Sequence, residues 1–97
     1  MLAEARSRIR RYTPEEARAD PELVVVDTRS ADERDRDGAI PGSQHIPLSV
    51  LPWRTDPLEG RRVCLVCADG YSSSLAAALL VELGVEAGDL IGGFEAW

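Results

Sequence analysis

Lysine is missing from this chain: all eleven basic residues are arginine. That excludes Schiff-base chemistry, which needs a lysine amine. There is one histidine and there are two cysteines. This is a poor set for a structural zinc, which takes four such ligands, so no metal is expected. Two cysteines do not make a disulfide framework, and in a reducing compartment they stay thiols. No apolar run approaches the roughly 20 residues that cross a bilayer. The start, M-L-A-E-A-R-S-R-I-R-R, lacks the apolar core of a leader peptide. The expectation is a cytoplasmic protein with no membrane partner. A net charge of −6 argues against binding to nucleic acid or to anionic lipid.

What is present suits a packed domain. The chain has 97 residues, 44% of them hydrophobic, which is enough for one core without covalent staples. Residues 1–97 are read as a single domain, with 1–8 as a loose N-terminal segment. Thr13-Pro14-Glu15-Glu16 is a helix start, with Thr13 as cap, Pro14 in the first turn and Glu16 closing a capping box. That helix is short and stops near Asp20-Pro21. Leu23–Val26 is a continuous β-branched run ending at Asp27, as in a strand covered on both faces. Ser30–Asp37 reads as a solvated helical turn, and Gly38–Gly42 as a connector. Gln44–Pro47 is a short strand, and Ser49–Arg54 a brief helix. Arg62–Val66 is the second strong strand. Ser73–Leu83 is the longest helix, apolar nearly all round and so expected to be well buried, with Gly84 as its stop. Asp89–Ile91 is a last strand, and Phe94–Trp97 begins another helix.

Alternating strands and helices define an α/β fold with a mainly parallel sheet. Functional groups in such sheets gather beyond the carboxyl ends of the strands. Cys67 and Asp27 both fall there. After Cys67 come Ala68-Asp69-Gly70-Tyr71-Ser72 and then a helix. A tight glycine loop can turn successive N–H groups inward as a nest for an anion. A helix N-terminus adds partial positive charge and lowers a thiol pKa. The same cradle suits a persulfide, R–S–S⁻. Ser72 and Ser73 are candidates to cap the helix, and one hydroxyl to reach the sulfur. The bland alternative is that Cys67 is a small apolar residue ending a strand; the order strand, cysteine, glycine loop, helix favours a reactive thiol. Cys64 lies inside the strand, facing the other side, and reads as core rather than as half of a dithiol. A cysteine phosphatase needs Arg as the sixth residue after its cysteine, to clamp phosphoryl oxygens. Here that residue is Ser73.

Four segments in order resemble the rhodanese-like domain family. They are Val24-Val25-Val26-Asp27-Thr28-Arg29; Gly38-Ala39-Ile40-Pro41-Gly42-Ser43 with Ile46-Pro47; Cys67-Ala68-Asp69-Gly70-Tyr71-Ser72-Ser73; and Leu90-Ile91-Gly92-Gly93-Phe94-Glu95-Ala96-Trp97. The resemblance implies a central, mainly parallel five-stranded sheet with helices on both faces. It implies that Cys67 takes a sulfane sulfur from a small sulfur-containing anion such as thiosulfate, or from a protein persulfide. The sulfur then passes to a thiol or cyanide acceptor. The resemblance implies that backbone N–H groups of Ala68, Asp69, Gly70, Tyr71, Ser72 and Ser73 cradle the persulfide, and it implies no cofactor. Asp27 and Arg29 are read as tying loops together near the site rather than as catalytic. The alternative is a rhodanese-fold binding or regulatory module with an incidental thiol.

Two departures stand out. Ala39 replaces the connector's usual His. Asp69 sits where thiosulfate-using members often carry Arg or Lys. A carboxylate there is expected to repel a doubly charged anion and to raise the thiol pKa. It favours a protein persulfide or a neutral thiol donor. Tyr71 is either a lid over the sulfur or a partner for Trp53.

Overall fold

The computed structural model describes residues 2–97. Five strands form one sheet: β1 (Arg10–Tyr12), β2 (Val24–Asp27), β3 (Gln44–His45), β4 (Arg62–Val66) and β5 (Glu86–Leu90). All pairs are parallel, in the order β1-β5-β4-β2-β3. Four α-helices accompany them: α1 (Leu2–Ser7), α2 (Pro14–Ala19), α3 (Ala31–Asp37) and α4 (Ser72–Glu82).

The alternation of side chains along a strand splits the core into two layers. Val24 and Val26 of β2, with Val63 and Leu65 of β4, face α4 and meet Ala76, Ala77 and Leu80. Cys64 and Val66 of β4 face the other way, with Tyr12, Ala17 of α2 and Leu90. The central strands are therefore covered on both sides, as the unbroken valine run requires.

Local signals set the helix ends. Thr13 caps α2 in a full capping box with Glu16, and Ser30 caps α3 likewise with Glu33. The α3 helix buries none of its residues, so that cap and its charges hold it. At the far end of α4, Gly84 adopts φ +90°. Its N–H donates to the Val81 carbonyl and that of Val85 to the Leu80 carbonyl, a glycine-terminated helix end.

Several expectations need correction. Of residues 1–8, expected to be loose, Leu2–Ser7 form α1, which packs on α4, and Met1 lies outside the described residues. Strand β1 then follows, pairing with β5 in the register Arg11↔Asp89. Its signal is weak because it is three residues long and two are arginine. What admits it is Gly88: a Cβ there would lie 2.1 Å from the Arg10 carbonyl oxygen. The last strand begins at Glu86, three residues before the expected Asp89. The Ser49–Arg54 and Phe94–Trp97 segments form 3₁₀ turns, at Leu51–Trp53 and Gly93–Ala96. Helix α4 is not buried all round; Leu79 and Val81 are exposed because sheet and α1 cover only part of its circumference.

Candidate active site

The carboxyl edge of the sheet brings Asp27 and Cys67 together, because β2 and β4 are neighbours with Asp27 opposite Val66. Beyond β4 the chain turns sharply through Ala68–Tyr71 into α4. Two glycine contacts shape the turn. Gly70 has φ +86°, and a Cβ on it would lie 2.9 Å from the Gly92 nitrogen. Gly93 has φ +65°, and its Cβ would lie 2.5 Å from the Cys67 carbonyl oxygen and 2.5 Å from the Gly70 nitrogen. The Gly92-Gly93 turn is thus pressed against the cysteine loop. Phe94 and Glu95 N–H groups lock it there by donating to the Cys67 and Ala68 carbonyls at 2.7 and 3.1 Å.

Inside this loop Cys67 is 5% exposed. Its sulfur accepts from the Gly70 N–H at 3.1 Å and the Ser73 N–H at 3.3 Å, and the Ser73 hydroxyl lies 3.2 Å away. Burial pushes the thiol pKa up. Hydrogen bonds from the Ser72 and Ser73 hydroxyls, then from the Ser73 and Gly70 amides, outweigh it and bring the pKa below the ordinary thiol value. The inward cradle around this sulfur is narrower than a ring over residues 68–73. The Tyr71 N–H, for instance, donates to Asp69 Oδ1 instead, at 3.0 Å. Nor do Ser72 and Ser73 cap α4; the residue at the cap is Tyr71, with no side-chain bond. The sulfur itself accepts from the first turn of the helix, at Ser73.

Asp69 is exposed, with Oδ1 3.8 Å from the sulfur. Any rise it causes in the thiol pKa is outweighed, since the net direction is downward. Solvent weakens the exposed carboxylate, and the several donors on the sulfur act at shorter range. Tyr71 is 57% exposed and Trp53 81%, and Tyr71 is not among the residues lining the cavity over the sulfur.

Behind the loop, Arg29 forms a two-pronged ion pair with Asp27: Nε to Oδ1 at 3.0 Å and Nη2 to Oδ2 at 2.8 Å. Both residues are buried. The guanidinium also donates to the Gly38 carbonyl at 2.7 Å and stacks on Phe94, 3.7 Å from the ring centre. Burial works to raise the Asp27 pKa. The Arg29 hydrogen bonds, the Arg29 charge and then the Arg34 charge reverse this and hold it below the usual carboxylate value. The pair joins β2, the connector and the closing turn. A cavity of about 430 Å3 opens over the sulfur, lined by Thr28, Arg29, Pro47, Leu48 and Asp69 among others. Its other ionisable lining residue is Glu33.

Sequence reasoning missed the groups beneath the loop. Arg6 of α1 donates to the Gly70 carbonyl and the Ser74 hydroxyl, each at 3.1 Å. Asp89 of β5 is fully buried. It receives the Ser74 hydroxyl at 2.5 Å and Arg11 Nε at 3.0 Å, with the Ser73 hydroxyl 3.4 Å away. A carboxylate inside a predicted strand was the available signal, since such a group needs partners to be buried.

A parallel-sheet protein with a cysteine seated in a loop at the carboxyl edge, its sulfur held by helix-start amides, is the class that fold and site define. The Rhodanese-like domain family model matches residues 13–97, and the chain belongs to that family. No curated protein matches it significantly. Among solved structures, it is similar to a Rhodopseudomonas palustris protein of unknown function, named a possible tyrosine phosphatase. That pair shares 32% identity and a TM-score of 0.89, over 99% of this chain and 84% of the other. A rhodanese-related protein from Thermoplasma volcanium shares 29% identity with a TM-score of 0.83, over 91% and 89%. An NAD-dependent persulfide reductase from A. fulgidus shares 26% identity with a TM-score of 0.76, over 99% of this chain and 17% of that one.

Proposed function

We propose that this protein is a sulfurtransferase that carries sulfur as a persulfide on Cys67. The observation behind this reading is a nearly buried sulfur receiving the Gly70 and Ser73 N–H groups at the floor of an open cavity. In the first step the Cys67 thiolate attacks the sulfane sulfur of a donor. A new S–S bond forms, the donor's own bond to that sulfur breaks, and the donor leaves with the electron pair. In the second step an acceptor thiolate or cyanide attacks the outer sulfur, and Cys67 leaves as thiolate into its hydrogen bonds. Asp27 and Arg29 position the loop and do not react.

The donor is an organic or protein persulfide in preference to thiosulfate. The cavity carries Asp69 and Glu33, and its single cation, Arg29, is already paired with Asp27. An apolar groove along Leu48, Leu51, Pro52, Leu75 and Leu79 adjoins the cavity through Leu48 and Ser72. It offers the donor's body an apolar surface. The phosphatase reading lacks its guanidinium: the sixth residue after Cys67 is Ser73, whose hydroxyl faces the sulfur.

The test is mass spectrometry after incubation with a small organic persulfide and, separately, with thiosulfate. A gain of about 32 Da at Cys67, absent in Cys67→Ser, is expected with the persulfide. Asp69→Arg is expected to raise thiosulfate turnover. Protein left unmodified by every donor would instead support a binding module with an idle thiol.

A further inference from the structure

Beneath the sulfur lies a run of polar contacts that the transfer reaction does not itself require. Cys67 Sγ is 3.2 Å from Ser73 Oγ, Ser73 Oγ is 3.4 Å from Asp89 Oδ2, and Asp89 Oδ1 is 3.0 Å from Arg11 Nε. Asp89, Ser73 and Ser74 are fully buried. The Ser73 hydroxyl has one hydrogen and two acceptors within reach, the sulfur and the carboxylate.

We propose that Asp89 is a positioning residue for Cys67, acting through the Ser73 hydroxyl, whose hydrogen it holds while the cysteine is a thiol and releases to the sulfur when the thiolate forms. This rests on the reading that Cys67 is the reacting thiol. In the thiol form, Sγ–H donates to Ser73 Oγ and the Ser73 O–H donates to Asp89 Oδ2. When the thiol proton leaves to water through the cavity, the hydroxyl hydrogen swings to the anionic sulfur. Asp89 loses one donor and keeps the Ser74 hydroxyl and Arg11. No covalent bond to oxygen changes. The same swing assists release of Cys67 as a leaving group in the second transfer step.

The charged groups around this chain come from every neighbouring element. Asp69 stands at the loop, the Asp27–Arg29 pair at the end of β2, and Glu33 on α3 across the cavity. Arg6 reaches up from α1 to the Gly70 carbonyl and Ser74, and Arg11 comes from β1. Of these, Asp89 and Arg11 are linked to the sulfur through a hydroxyl rather than across the open cavity.

Asp89→Asn gives a directional test. Arg11 donates from Nε to Oδ1 at 3.0 Å and from Nη2 to Oδ2 at the longer 3.4 Å, so the asparagine oxygen keeps the shorter bond at Oδ1 and its NH2 replaces Oδ2. That NH2 is a donor, so the Ser73 hydrogen is left to the sulfur in both states. The Ser74 hydroxyl turns to the Gly70 carbonyl, already 3.1 Å away. The measurement is the rate of Cys67 alkylation by iodoacetamide as a function of pH, on the full chain, in wild type, D89N, S73A and S73A/D89N. The midpoint is expected to fall in D89N, with about a threefold faster reaction at a fixed pH below it. The effect should largely disappear when Ser73 is alanine. An unchanged or raised midpoint in D89N overturns the proposal. So does an equal shift with and without Ser73, which would be plain removal of a charge. Should D89N not fold, Arg11→Gln decides the matter: Asp89 then draws the hydroxyl harder and the midpoint rises, again only with Ser73 present. No Ser73-dependent rise in R11Q overturns it. Alkylation needs no sulfur donor, so this outcome is separate from the persulfide assay above.

Discussion

Cys64 and Cys67 stand three residues apart, at 0% and 5% exposure, yet they are different reagents. Cys64 lies mid-strand in the layer with Tyr12, Val66 and Leu90. Burial, and after it the charge of Asp89, pushes its thiol up to about 12. Burial presses on Cys67 in the same direction, and hydroxyls and amides reverse it. Seclusion from water therefore does not separate the two. The supply of donors does. A strand's N–H groups are committed to the next strand, whereas the loop after β4 has left the ladder and has some to aim at a sulfur.

The largest expected difference between the two thiols is in activity. Cys67→Ser should lower sulfur transfer at least about 10³-fold. Cys64→Ala should leave it nearly intact while costing about 1 kcal/mol of stability from the small cavity. A Cys64 variant as dead as the Cys67 one would break the comparison.

Next in size is Gly93→Ala. Its Cβ would meet the Cys67 carbonyl and the Gly70 nitrogen, both at 2.5 Å, and must push the loop aside. We expect roughly a 10²-fold loss of transfer with the far-ultraviolet spectrum unchanged, since displacement of about 1 Å has that effect on a positioned site. Full activity would mean that the loop amides are not what sets Cys67 apart.

The two cysteines should also tilt stability with pH in opposite senses. Cys64 has a folded pKa of about 12, above the roughly 8.5 of an unfolded chain. Its favourable contribution is complete below about 8.5 and is lost as pH rises toward the folded value, on the order of a few kcal/mol. Cys67 is depressed on folding, so its contribution is complete above the unfolded value and is lost as pH falls through the folded one. Urea midpoints between about pH 8 and 11 should decline less steeply in Cys64→Ala than in wild type. An identical slope would mean that Cys64 ionises as a free thiol does.

The smallest expected effect is that of Ser72→Ala, which removes one of the hydroxyls that hold the thiol pKa down. The alkylation midpoint of Cys67 should rise by about half a pH unit, because one of several donors is lost.

Much of this was legible in the residues. The valine run, the strand before Cys67 and the Thr13 capping box are local patterns, and local patterns dictate local structure. So was the meeting of Asp27 with Cys67, since parallel strands share a carboxyl edge. The contributions of Arg6, Arg11 and Asp89 were not. Each depends on a contact spanning more than sixty residues, and β1 has no periodicity of its own. The net direction of the Cys67 pKa was likewise hidden: the sign of Asp69 is written in the sequence, but the donors that outweigh it at the sulfur are set by the folded loop.

Two guanidiniums that brace the sulfur loop, Arg6 and Arg11, lie ahead of the segment 13–97 that the family model matches. Trimming the gene to that segment would strand the Asp89 carboxylate inside the protein without its ion-pair partner and let the floor under Gly70 go slack. The portable unit for grafting, fusion or crystallisation accordingly begins with α1.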